Sequence, residues 1–98
     1  MTRKTFKARA LKIVRTAAPE DLAIHSLAGG CLLERLFEYR KVALETERAW
    51  ERIHLAFRNL FGVEASLLIG LNDNFRRSVA DPNKARQELL TYIKSLPN

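Results

Sequence analysis

Apolar residues recur along this chain at intervals of three and four, and nowhere do they alternate with polar ones over the length of a strand. β-branched residues are thinly scattered and no Asn-Gly or Asp-Gly pair offers a hairpin turn, so the pattern predicts helices throughout. The first is expected from about Thr5 to Ala17. At about 100° per residue, Phe6, Ala10, Leu11, Ile13, Val14 and Ala17 share one face. Lys4, Arg9, Lys12 and Arg15 share the opposite face, and Lys7 lies near the boundary.

Pro19 suits a first helical position, with Glu20 and Asp21 at the positive end of a helix dipole. A second helix is therefore predicted through Leu22, Ile24, Leu27 and Ala28, until Gly29 and Gly30 break it. The longest element is predicted from Cys31 to Phe61, closed by Gly62 as a left-handed cap. Within it Leu32, Leu36, Tyr39, Ala43, Thr46, Trp50, Ile53, Phe57 and Leu60 form a seam of about four heptads. Leu33, Phe37, Leu44 and Leu55 widen that seam, which favours a bundle over a two-stranded coil. A fourth helix is expected from near Val63, carrying Ala65, Leu67, Leu68 and Leu71, with a bend at Asn72-Asp73-Asn74. Asp81 and Pro82 read as a cap and a first-turn proline for a last helix bearing Ala85, Leu89, Leu90, Ile93 and Leu96. The expected fold class is all-α: a single compact bundle of about five helices with one long central helix, forming one domain over residues 1–98.

Composition adds limits rather than elements. The chain has 98 residues, 47% hydrophobic and 29% charged, which is one globular domain with little room for a deep substrate pocket beside its core. A lone cysteine, Cys31, cannot close an internal disulfide, which suits a reducing cytoplasm, and its leucine neighbours read as core. No apolar run approaches the ~20 residues a membrane span requires.

Charge changes the picture more. The net charge is +6, and the first eighteen residues hold Arg3, Lys4, Lys7, Arg9, Lys12 and Arg15 with no acid. The remaining eighty residues balance eleven basic groups against eleven acidic ones, so the whole surplus sits at one end. A run of charge is ordinarily a solvated face. Six cations without a compensating acid favour contact with phosphates, whose released counterions make such binding strong and salt-sensitive. The same description fits a transit peptide, but the segment is expected to stay on the chain. A membrane partner is not expected, because the apolar face is half alanine and has no Trp.

Arg76 and Arg77, beside Phe75, are a second basic pair, and Arg40 and Lys41 a third. Each pair taken singly is ordinary surface. Brought near the first helix, either would complete a groove for a phosphate backbone, with Phe75, Tyr39 and Trp50 as candidates to stack on bases. The seam spacing of Tyr39 and Trp50 makes them core first. Residues 63–79 place Gly70 between two short stretches, the second with arginines, as a helix-turn-helix does. Arg76 falls where that motif wants an apolar residue, so sequence-specific reading of duplex DNA is not expected.

Signals for catalysis are thin. Glu51 and His54 make one E-x-x-H step, the spacing used in di-iron bundles, but a second such step and two further inward carboxylates are missing. His25 has only Asp21 four residues before it. No G-x-x-x-x-G-K, G-x-G-x-x-G or G-x-S-x-G motif occurs. The expectation is a non-enzyme with no metal, no cofactor and no small-molecule substrate.

In its short basic N-terminal stripe (residues 2–15), its long helix from Cys31 to Phe61 and its Phe75-Arg76-Arg77 triplet, the chain resembles the small helical subunits of CRISPR RNA-guided effector complexes of the Cascade type. That resemblance implies a non-catalytic subunit that stacks within a larger complex and steadies nucleic acid through exposed Lys and Arg. The expected partners are single-stranded DNA or RNA rather than a specific duplex, together with other protein subunits and copies of the chain itself. The competing expectation is a protein-interaction module, in which Tyr39, Trp50 and Phe57 on a partly open seam receive a partner's helix.

Overall fold

Thr2 starts the first helix. Its Oγ1 accepts the Thr5 N–H at 3.1 Å, capping α1 (Arg3–Thr16) two residues before the expected start. In this computed structural model the described residues are 1–22, 32–37, 47–78 and 80–98, with the side chains of 34, 35 and 47–50 outside the description. They hold four further helices: α2 (Leu32–Phe37), α3 (Glu47–Phe61), α4 (Ser66–Arg77) and α5 (Pro82–Ser95). No strand occurs among the described residues, so the fold is all-α. Of the one long helix expected at Cys31–Phe61, the described residues show α2 and α3, and residues 38–46 between them lie outside the description.

Of the second expected helix only the start, to Leu22, lies among the described residues. Pro19–Asp21 make a single 3-10 turn, and Leu22 leaves it in extended backbone with φ −102° and ψ 109°. The Asp21 carboxylate closes this turn by accepting the Ala18 N–H at 2.8 Å, while Leu22 is fully buried. Ile24, Leu27, Ala28, Gly29, Gly30 and Cys31 lie outside the described residues.

Where local cap chemistry is strong, the ends fall where expected. Asp81 accepts the Lys84 N–H at 3.0 Å with Pro82 in the first turn of α5. Gly62 ends α3 at φ +74° and donates its N–H to Arg58 O at 2.7 Å. α4 departs from expectation twice. It starts at Ser66, and it runs unbroken through Asn72-Asp73-Asn74. An asparagine bends a helix when its side chain competes for its own backbone. Asn72 does not, because it is buried and its Oδ1 accepts the Leu32 N–H of α2 at 3.2 Å.

Phe6 is the hub of the core. Its ring meets Phe37, Phe57 and Phe61 at centroid distances of 5.6, 5.7 and 5.0 Å, so one side chain ties α1 to α2 and α3. Ala10, Val14 and Ala17 continue that buried face. α5 packs against both α1 and α4, burying Ala85, Leu89, Leu90 and Ile93. The Lys7 side chain of α1 reaches Lys94 and Leu96, and the Val14 end of α1 meets Arg86, so α1 and α5 are antiparallel. α4 and α5 are joined by residues 78–81 and folded back on each other. The C-terminal ends of α1 and α4 therefore share one pole of the molecule. A radius of gyration of 12.6 Å matches the ~13 Å of a compact chain this long.

Candidate nucleic-acid interface

The six N-terminal cations do not act alike. Arg3 donates from Nε to Leu60 O, at the C-terminal end of α3, and from Nη1 to Asn98 O at 3.5 Å. Lys7 donates from Nζ to Lys94 O at 3.1 Å, Leu96 O at 2.7 Å and Asn98 Oδ1 at 2.8 Å, which caps the end of α5. The last carbonyls of a helix lack intrahelical partners and carry the negative end of its dipole, so a cation there is a structural device. This corrects the sequence expectation for Arg3 and Lys7: both are half-buried and occupied by helix ends, and neither faces outward for a phosphate.

Lys4, Arg9, Lys12 and Arg15 are exposed on the outer face of α1. No hydrogen bond or ion pair engages the side chains of Lys4, Lys12 or Arg15 among the described residues. Arg9 lies toward α2, at the rim of a shallow depression lined by Met1, Thr5, Leu36 and Phe37. From Lys4 to Arg15 the stripe runs about 16 Å at a rise of ~1.5 Å per residue.

Arg86 organises the pole where this stripe ends. One Nη donates to Val14 O at 2.7 Å and to Arg15 O at 2.9 Å, and the guanidinium lies 5.1 Å from the centre of the Phe75 ring. The end of α1 is thereby fastened to the end of α4, and Arg76 and Arg77 follow Phe75 directly. Arg77 is exposed and Arg76 half-buried, and Lys84 in the first turn of α5 is exposed. Among the described residues, Glu20 and Asp21 of the 3-10 turn, which packs on α4, and Asp81 bring acids to this pole, and Asp73 lies one turn before Arg76 and Arg77 on α4. Glu20, Asp21 and Asp81 are all exposed, and the two aspartates also accept backbone N–H groups.

Arg86 escaped the sequence reading. A signal for it existed, since it falls on the same helical face as Leu89, Leu90 and Ile93, where a cation needs a partner. Asn72, between the buried Leu68 and Phe75, carried the same kind of signal. Phe75 itself is fully buried and faces Arg86, which corrects its candidacy as a platform for bases. Phe57 is likewise fully buried, against Phe6 and Phe61, so it presents no surface to a partner helix. Tyr39, Arg40, Lys41 and His25 lie outside the described residues, as does the side chain of Trp50.

No family model, no curated protein and no solved structure matches the chain. The site must therefore be read from its own chemistry. Glu51 is exposed on α3 with His54 half-buried one turn later. Among the described residues no three His, Cys, Asp or Glu side chains gather as metal ligands, and no helix is long and apolar enough to cross a membrane. What the described surface offers is a set of exposed cations on a firmly anchored helix, continued by two arginines at one pole.

Proposed function

We propose that this protein is a non-catalytic, largely sequence-independent nucleic-acid-binding subunit of a larger nucleoprotein complex, as the small subunits of CRISPR effectors are. Lys4, Lys12 and Arg15, with Arg9, contact the phosphate backbone from the outer face of α1, and Arg76 and Arg77 extend that contact at the end of α4. One observation carries the reading. Lys4, Lys12 and Arg15 point into solvent without a partner among the described residues, on a helix that Phe6, Arg3 and Lys7 hold in place. A preordered row of cations meets a polyanion at low entropic cost and releases its counterions.

The test is fluorescence anisotropy with labelled single-stranded and duplex oligonucleotides across a salt series. The comparison protein carries Lys4→Gln, Lys12→Gln and Arg15→Gln together. At ~0.7 per phosphate contact on a single strand, the slope of log affinity against log salt becomes shallower by about 2 in the variant. Absence of binding to every oligonucleotide at low salt refutes the proposal for the isolated chain.

A further inference from the structure

We infer that the ligand is a single strand that turns the corner at the Arg86 pole, running along α1 and then crossing to Arg76 and Arg77, so that the two basic sets form one site and not two. This rests on the proposed function and names the kind of nucleic acid and its path.

The joint itself is the first argument. Arg86 bonds the Arg15 carbonyl at 2.9 Å and stands 5.1 Å from the Phe75 ring centre, so the backbone bearing Arg15 lies close to the residue that precedes Arg76. A spring between the two basic sets would let them bind independently; this contact fixes their spacing. Arg86 also changes the field. The C-terminal ends of α1 and α4 both present the negative end of a helix dipole at this pole, which repels phosphate. Its guanidinium lies on the terminal carbonyls of α1 and offsets that repulsion where a strand would cross.

Shape supplies the second argument. Lys4, Lys12 and Arg15 lie along the side of α1, whereas Arg76 and Arg77 lie at the end of a different helix, in a molecule measuring 35 × 30 × 19 Å. A duplex, with a persistence length of about 150 base pairs, does not fold over the edge of so small a body without a bending cost, which a single strand escapes. Basic tracks of this kind follow a single strand's backbone without reading its sequence. Glu20 marks the crossing from the other direction. It is exposed on the 3-10 turn that leaves α1 and packs on α4, so it is an acid such a strand would pass, and unlike Asp21 and Asp81 it caps no turn or helix.

The experiment compares oligo-dT and oligo-rU of five and fifteen nucleotides by anisotropy across a salt series, with a fifteen-base-pair duplex as competitor. The proteins are wild type, Arg76→Gln/Arg77→Gln, Lys12→Gln/Arg15→Gln and Glu20→Gln, each checked for an unchanged thermal melt. With two contacts at ~0.7 each, Arg76→Gln/Arg77→Gln makes the fifteen-nucleotide slope shallower by about 1.4 and leaves the five-nucleotide slope unchanged. Lys12→Gln/Arg15→Gln lowers both slopes. Glu20→Gln tightens the long strand several-fold at low salt, a gain that damage to the fold cannot mimic. Wild type that binds the long strand, with Arg76→Gln/Arg77→Gln indistinguishable from it, overturns the shared path while leaving the α1 stripe as the site. Duplex binding as tight as the fifteen-nucleotide strand overturns the single-strand assignment. Binding of nothing at low salt overturns the proposed function and this inference with it.

Discussion

Removing the Arg86 guanidinium is the sharpest test of how this fold is held. Arg86→Met keeps most of the aliphatic stem but takes away two hydrogen bonds to the end of α1, at 2.7 and 2.9 Å, and the contact over Phe75. Hydrogen bonds from a charged donor contribute about 1.5–3 kcal/mol, and a cation over an aromatic face about 0.5–2 kcal/mol according to its exposure. These do not add, because one group makes all three contacts and two carbonyls released at the rim can take water instead. Arg86 is half-buried, so the lower part of the range applies, and the expected loss is about 2 kcal/mol. With a urea m-value of roughly 2 kcal/mol per molar, the midpoint of a circular-dichroism unfolding curve falls by about 1 M with the slope unchanged. Arg86→Lys restores only part of the loss, since one Nη makes both carbonyl bonds while the rest of the planar fork lies over the Phe75 ring, which a compact ammonium cannot do at once. A midpoint for Arg86→Met within error of wild type would refute the reasoning. Full rescue by lysine would show that charge at the helix end, rather than the fork, is what matters.

Lys7→Gln separates structural from binding cations: it lowers stability by about 1 kcal/mol in the same unfolding assay, since a charge at a helix end contributes ~0.3–2 kcal/mol, yet leaves the oligonucleotide salt slope within error of wild type. The two described glycines of α3's end and α4 respond in opposite directions to alanine, measured by urea midpoint. Gly62→Ala costs about 1 kcal/mol because φ +74° strains any Cβ even though nothing crowds it, while Gly70→Ala stabilises by roughly 0.8 kcal/mol because it is an exposed helix interior with open space around it. Tyr92 supplies an alkaline signature. Burial pushes its hydroxyl above the ordinary value of 10.0, so its contribution is intact below that pH and is lost as the pH rises through the higher folded-state value. Tyr92→Phe therefore loses less stability than wild type as the pH rises above 10.0, compared by unfolding at fixed temperature; equal losses would mean that the phenol is not desolvated.

Much of the helical scaffold is legible without coordinates because its determinants are local. Asp81 with Pro82 and Gly62 after Phe61 place helix ends through contacts within four residues, and the Phe6, Ala10, Val14 and Ala17 spacing names the buried face of α1. Thr2 was available to the same reasoning, since a threonine three residues before another backbone N–H is an ordinary cap. Of the helix predicted after Pro19 only the start is described, and there Asp21 closes a single turn while Leu22 is buried in extended backbone. The bend at Asn72 fails because a helix forty residues away supplies that amide with a partner. Leu67, read as apolar support for the fourth helix, is 56% exposed, which the choice of Leu68, Asn72 and Phe75 as the inward face leaves no room to avoid.

The candidate site divides in the same way. The sequence by itself determined that six cations without an acid stand in the first eighteen residues, and that Lys4, Arg9, Lys12 and Arg15 share a helical face. Only the tertiary structure decided which of the six remain available. Arg3 and Lys7 find their acceptors 57 to 95 residues away, at chain and helix ends that no local pattern can bring within reach. The same holds for Arg86, whose partners in α1 are more than seventy residues upstream. Charge is a property of composition, but whether a charge faces solvent or closes a helix depends on which ends the packing brings together.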